Sequence, residues 1–108
     1  MGVSYTVFLE REVHQDRDKL PGNVRQRVRA LISGFAANPR PPGSEALDAT
    51  GIAIPDGAEA RRYRLEPWRI VYAVSDAGKW VWVLAVRRRP PYDYADLAEL
   101  LARLPRPE

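Results

Sequence analysis

The sequence predicts an α+β domain in which two N-terminal helices pack on a small, mainly antiparallel four-stranded sheet, in the order β-α-α-β-β-β-α. Three observations lead there. An alternating apolar run opens the chain, an apolar stripe at helical spacing follows it, and three more alternating runs stand close together with short breaks between them.

Taken in order, Val3–Leu9 places Val3, Tyr5, Val7 and Leu9 on one face with a period of two, the pattern of a strand. Glu10–Lys19 is polar and reads as a short helix with Val13 turned inward. Leu20–Pro21–Gly22–Asn23 breaks it, and Asn23 is placed to cap the next helix with its side-chain oxygen. Val24, Val28, Leu31, Ile32, Phe35 and Ala36 then recur on one helical face, with Arg25, Gln26, Arg29 and Ser33 mostly outside it. Asn38–Pro39 stops that helix, because the residue before a proline disfavours the α region. Arg40–Glu59 is rich in Pro and Gly and reads as a long loop. Structureless loops of about that length are uncommon inside a small domain, so Leu47, Ile52 and Ile54 are expected to tether it to the core.

Glu59–Leu65, Trp68–Ser75 and Trp80–Arg88 are the remaining strands. The Glu66–Pro67 turn and the Asp76–Ala77–Gly78–Lys79 loop between them are short, which makes the three an antiparallel meander. Pro90–Pro91 ends it, and Asp93 is expected to cap a last helix, Tyr94–Leu104, lined on one side by Leu97, Leu100, Leu101 and Leu104. There is no internal repeat, and residues 1–108 read as a single domain.

A chain of 108 residues, 45% apolar and 29% charged, can bury the core of one domain, which excludes a disordered chain and a multidomain enzyme. No apolar run approaches the ~20 residues of a membrane-spanning helix, and the alternating N-terminus is unlike a signal-peptide core, so a cytoplasmic protein with no membrane partner is expected. With no cysteine the chain has no means to build a disulfide or a zinc–thiolate site, and with His14 as its one histidine it gives a histidine-cluster metal site or a Ser/His triad little support. Neither metal nor cofactor is expected.

The net charge of +3 is unevenly distributed. Residues 1–57 carry seven basic and seven acidic groups, whereas 58–108 carry ten and seven. Ala60–Tyr92 alone holds eight basic groups against Glu66 and Asp76, a local excess that attracts polyanions. Fifteen of the 17 basic residues are Arg. That bias fits bidentate phosphate recognition, and it fits equally a codon bias toward Arg across the genome.

Strand parity sorts these charges. Tyr63, Leu65, Trp68, Ile70, Tyr72, Val74, Trp80, Trp82, Leu84 and Val86 fall on one bulky face, expected to pack on the helices. The other face holds Arg62, Arg64, Arg69, Arg87 and Arg89 near one end, with small aliphatic residues in its middle. Five guanidinium groups from three strands, without matching carboxylates in the same segment, repel one another unless an anion compensates them. A phosphate-binding groove is one reading. A solvated face with salt bridges to acids from elsewhere is the other.

No GxGxxG or GxxxxGK[ST] loop occurs, and the groove lacks the paired carboxylates of metal-assisted or acid–base hydrolysis. Arginines do suit one reaction: attack of an RNA 2′-hydroxyl on the adjacent phosphodiester, giving a 2′,3′-cyclic phosphate and a 5′-hydroxyl, with fixed positive charge stabilising the phosphorane. A proton acceptor and donor are still required. Tyr92, just beyond Arg89, is the available polar aromatic; proton transfer, stacking on a base and packing its ring at the sheet edge all suit it. His14 shares no strand with the groove and reads as a surface histidine.

Lys19–Leu20–Pro21 before the Val24–Phe35 helix, Arg62–Tyr63–Arg64–Leu65, Trp68–Arg69–Ile70–Val71–Tyr72, and Val83–Leu84–Ala85–Val86–Arg87–Arg88–Arg89 with Tyr92 make a pattern that resembles the RelE/ParE superfamily of bacterial type II toxin–antitoxin toxins over nearly the whole chain. The resemblance implies a RelE-like fold and a toxin that acts as a ribosome-dependent, metal-independent mRNA endoribonuclease and so inhibits translation. Carried over residue by residue, it implies that Arg69 and Arg89 stabilise the transition-state phosphate. Arg62 and Arg64 position the backbone and assist proton transfer, and Tyr92 stacks on or orients the nucleotide. Arg61, Arg87 and Arg88 join them as RNA-binding residues. The implied partners are the ribosome, mRNA and a cognate antitoxin, an acidic segment expected to cover the arginine face and an exposed Leu97–Leu104 stripe. The alternative within the superfamily is a ParE-like protein that inhibits DNA gyrase without cutting nucleic acid. Four departures from the pattern bear on proton transfer more than on phosphate binding: the short Glu66–Pro67 link, the negative charge of Glu66 beside the groove, Arg87 where many relatives have His, and an Arg40–Glu59 loop longer than usual.

Overall fold

The computed structural model describes residues 4–55 and 57–104. The opening alternation forms β1 (Thr6–Leu9), followed by α1 (Arg11–Asp18) and α2 (Gly22–Gly34). Val3, included in the first strand by its alternation, lies outside the described residues. Next come β2 (Ser44–Ala46), β3 (Ala58–Leu65), β4 (Trp68–Ser75), β5 (Trp80–Arg88) and α3 (Leu97–Leu101). The strands make one sheet in the order β1-β5-β4-β3-β2, antiparallel throughout except for β1, which runs parallel to β5. Among the described residues no helix is long and apolar enough to cross a membrane.

The sheet therefore has five strands, not the expected four. The extra one, β2, lies in the segment that reads as loop. Ser44, Glu45 and Ala46 show no apolar alternation; they are extended because the otherwise open edge of β3 offers them backbone partners at Tyr63, Arg62 and Arg61. Two helix starts also differ. α2 begins at Gly22 with Pro21 in the capping position, ahead of Asn23, and no side chain caps it. α3 covers only Leu97–Leu101, with Asp96 preceding it. Tyr94 adopts a left-handed backbone with φ 63°, incompatible with a helix, and Asp93 instead accepts the Ala95 amide in a local turn.

Both sheet faces are covered. Val13 of α1 and Val28, Ile32 and Phe35 from α2 and its C-cap pack with Ile70, Tyr72, Val74, Val81, Val83 and Val86 on one face. On the other, Leu97, Leu100, Leu101 and Leu104 pack with Ala60, Val71, Ala73, Leu84 and Ala85, joined by Leu47, Ile52 and Ile54 of the long connection. The leucine stripe expected to be exposed for a partner is thus buried against the chain's own sheet. The tethering of the connection is as expected.

Parity fails at one place. The β4–β5 register shifts between Val71 and Tyr72, which pair with Ala85 and Val83, so Leu84 is an extra residue. Before that bulge, Trp80 and Trp82 face α3 with Leu84, while Val81 and Val83 face α1 and α2, the reverse of the expected arrangement. Beyond it, Ala85, Val86 and Arg87 keep the faces that alternation assigns them.

Candidate functional site

Hydrogen-bond register places Arg64 opposite Arg69, and Arg69 opposite Arg87, so three arginines form a row across β3, β4 and β5. Arg62 lies two residues from Arg64 on the same face, by the alternation that puts Ala60 in the α3-side core. Like charges directly opposite one another are destabilising in a sheet. The fold answers with carboxylates drawn from four elements or turns. Glu45 of β2 pairs with Arg62 at 2.7 Å, Glu66 in the β3–β4 turn pairs with Arg64 at 2.6 Å and with Arg69 at 3.4 Å, and Asp16 of α1 pairs with Arg87 at 2.7 Å. Asp96, ahead of α3, adds a second carboxylate to Arg87 at 3.8 Å.

Arg69 is the most enclosed of these. Its side chain is 6% exposed, against 61% for that of its partner Glu66. One guanidinium nitrogen donates to the Trp68 carbonyl at 2.9 Å and another to Glu66, so the buried charge is both hydrogen-bonded and paired, as a buried charge must be. Glu66 is the carboxylate seated between this arginine and Arg64.

At the end of β5 the charges are treated differently. Among the described residues no carboxylate pairs with Arg88 or Arg89, and both are exposed. The Arg89 amide donates to the Pro67 carbonyl at 2.8 Å, which ties the end of β5 to the turn that carries Glu66. The Arg89 guanidinium lies over the Tyr94 ring at 5.2 Å.

Tyr92 is half-buried, with its amide bonded to the Arg88 carbonyl and its ring edge-on to Tyr94. Its hydroxyl donates to Asp96 Oδ1 at 2.6 Å. Burial, and then the bond to Asp96, push the phenol above its usual range, so Tyr92 keeps its proton near neutral pH. The Arg87 guanidinium stands 5.9 Å from the ring centre. In this arrangement Tyr92 is a fixed ring with a committed proton and does not serve as a base.

The structure thus brings Arg62, Arg64, Arg69, Arg87, Arg89 and Tyr92 to one end of the α3-side face. It does not bring Arg61 there. Arg61 lies on the opposite face, donating to Ser44 Oγ at 2.7 Å and pairing with Glu59, while Ser44 meets the buried Tyr72 hydroxyl. Arg88 follows Val86 onto that same helix-side face by alternation, though it is exposed at the strand end. The carboxylates escape a reading by segments, since Asp16 and Glu45 are far from their partners in sequence. Asp96 did carry a signal: it stands four residues after Tyr92 at the entry to a helix. Among the described residues no group of His, Cys, Asp and Glu is arranged to hold a metal.

No protein-family model and no curated protein matches the chain. Solved structures do. The archaeal RelE–RelB complex from Pyrococcus horikoshii superposes with a TM-score of 0.69 at 22% identity, covering 82% of this chain and 99% of that one. The RelBE2 toxin–antitoxin complex of Mycobacterium tuberculosis gives 0.63 at 24% identity, covering 81% and 100%. The isolated E. coli RelE toxin gives 0.59 at 19% identity, covering 93% and 98%. The chain therefore has the fold of RelE toxins, in agreement with the resemblance carried by its motifs.

Proposed function

We propose that this protein is the toxin of a type II toxin–antitoxin pair and acts as a ribosome-dependent mRNA endoribonuclease of the RelE type. The observation that carries the reading is the arginine row Arg64–Arg69–Arg87 on a RelE fold, with Arg62 beside it and Arg89 and Tyr92 at its open end. Guanidiniums fixed in a sheet do not reorganise as charge builds on a phosphorane, which is where electrostatic catalysis gains most. Arg69 and Arg89 bind the phosphate in the transition state, Arg62 and Arg64 hold the flanking backbone, and Tyr92 offers its ring to a nucleotide base. Support for an antitoxin partner comes from the structural relatives, which are toxin–antitoxin complexes in the Pyrococcus and Mycobacterium cases.

A second reading, gyrase inhibition without cleavage, draws on the ion pairing of Arg62, Arg64, Arg69 and Arg87, which is what a purely structural charged face requires. One experiment separates the two. The purified protein is added to mRNA-programmed ribosomes and the new 5′ ends are mapped, with a gyrase supercoiling assay alongside. Cuts in register with codons that vanish in Arg69→Ala and Arg89→Ala support the nuclease. Intact mRNA together with blocked supercoiling sinks it.

A further inference from the structure

Resting on the nuclease reading above, we propose that Glu66 is the proton acceptor of the reaction, the group that takes the proton of the attacking 2′-hydroxyl. Attack requires a group that is unprotonated near neutral pH and stands beside the phosphate-binding guanidiniums. The arginines do not qualify, because a guanidinium stays protonated in a protein. Tyr92 does not qualify, because its hydroxyl donates to Asp96. His14 belongs to a different place: with Arg17, to which it is hydrogen-bonded, it lines a cleft of about 470 Å³ between β1, α1 and α2.

Four carboxylates remain near the row. Asp16 holds Arg87 at 2.7 Å from α1. Glu45 holds Arg62 from the β2 edge. Asp96 has one oxygen on the Tyr92 hydroxyl and the other toward Arg87. Glu66 stands at the end of the row, on both Arg64 and Arg69, with the Pro67 carbonyl next to it bonded to the Arg89 amide. Glu66 and Arg64 are both exposed, while Arg69 behind them is buried. A phosphodiester reaching Arg64 and Arg69 must compete with the Glu66 carboxylate for the same donors. As phosphate oxygens take those donors over, the carboxylate is released beside the phosphate with its charge uncompensated, where a 2′-hydroxyl can hydrogen-bond to it.

The step balances without any added reagent but water. The O2′–P bond forms as the P–O5′ bond breaks; Glu66 takes the 2′ proton and later returns it to water. The departing 5′ oxygen takes a proton from water, leaving a 2′,3′-cyclic phosphate and a 5′-hydroxyl.

The test measures single-turnover cleavage and affinity on programmed ribosomes for the wild type, Glu66→Gln and Glu66→Asp, between about pH 6 and 8.5. The wild-type rate is expected to be nearly level across that range. Glu66→Gln, nearly isosteric at an exposed position, is expected to cut about 10²–10³-fold more slowly at neutral pH, with affinity unchanged or tighter. Its rate should climb roughly tenfold per pH unit, because hydroxide must then remove the proton. Glu66→Asp should recover part of the rate. A Glu66→Gln enzyme as fast as the wild type, or slower with a level pH profile, overturns the proposal and leaves Glu66 as a counter-ion only. A wild-type protein that leaves mRNA intact is a different result: it removes the nuclease reading, and the base with it.

Discussion

The arginine row across the sheet, with Arg62 beside it, and the arginines of α2 carry the same group and are handled in opposite ways. Arg62, Arg64, Arg69 and Arg87 each have a carboxylate partner. Arg25, Arg27 and Arg29 on α2 are exposed, and among the described residues no carboxylate pairs with them. By sequence the order is reversed: the half with balanced charge contains α2, and the strongly basic stretch contains the sheet arginines. The reversal has a simple cause. Acids of the first half serve arginines of the second, Asp16 for Arg87, Glu45 for Arg62 and Glu12 for Arg103, while α2 carries no acid of its own. A row of like charges across a sheet must be neutralised where it stands, whereas arginines on a helix exposed to water are screened by solvent and salt.

The largest effect expected from this contrast lies at Arg69. Arg69→Ala should lower cleavage on programmed ribosomes by about 10²–10³-fold, the scale of losing a fixed donor to a developing oxyanion. Time courses of 5′-end formation measure it, and a variant within a few-fold of wild type would make the paired arginine purely structural. Next in size is Asp16→Asn. It leaves the half-buried Arg87 with Asp96 at 3.8 Å, and it should cost about 1–2 kcal/mol in a urea titration. Combining it with Arg87→Gln should recover part of that loss; strict additivity would show that the pair is not coupled.

Smaller still is the response of α2. Arg25→Gln with Arg29→Gln should leave stability within about 0.5 kcal/mol, because no ion pair is lost. The same double variant should lower the salt slope of non-specific binding to a DNA duplex by about 0.9 for each phosphate contact removed. An unchanged slope would mean that the uncompensated helix meets no phosphate. The smallest effect concerns Asp76, whose carboxyl is held below its usual range by its hydrogen bonds from Arg40 and then Tyr5. A carboxyl depressed in the folded state stabilises fully above its unfolded value, ~3.9, and that contribution disappears as pH falls through the folded one. Asp76→Asn should remove this part of the acid limb, read as urea midpoints compared at neutral and acid pH.

Most of the fold was legible because local chemistry dictated it. The α2 stripe, the meander with its short turns and the existence of the opening strand all follow from periodicity and loop length, whereas the parallel pairing of that strand with β5 belongs to the folded chain. β2 was not legible, since its three residues are extended by their neighbour's open edge. The faces of Trp80, Trp82 and Leu84 were misassigned because one bulged residue inverts every side chain on its far side. The arginine end of β5 lies on the near side of that bulge, which is why parity located the candidate site despite the error. Glu66 was visible as a charge near the groove, but its seat between a buried and an exposed arginine depends on the paired strands.

Residue order alone was enough to specify the α+β class, the meander and the arginine end of one sheet face, because these depend on spacing along the chain. Which arginines are neutralised, and by whom, depended on the folded chain. Coulomb interactions act through space, and the acids that satisfy Arg62 and Arg87 come from strand and helix elements 17 and 71 residues away in sequence.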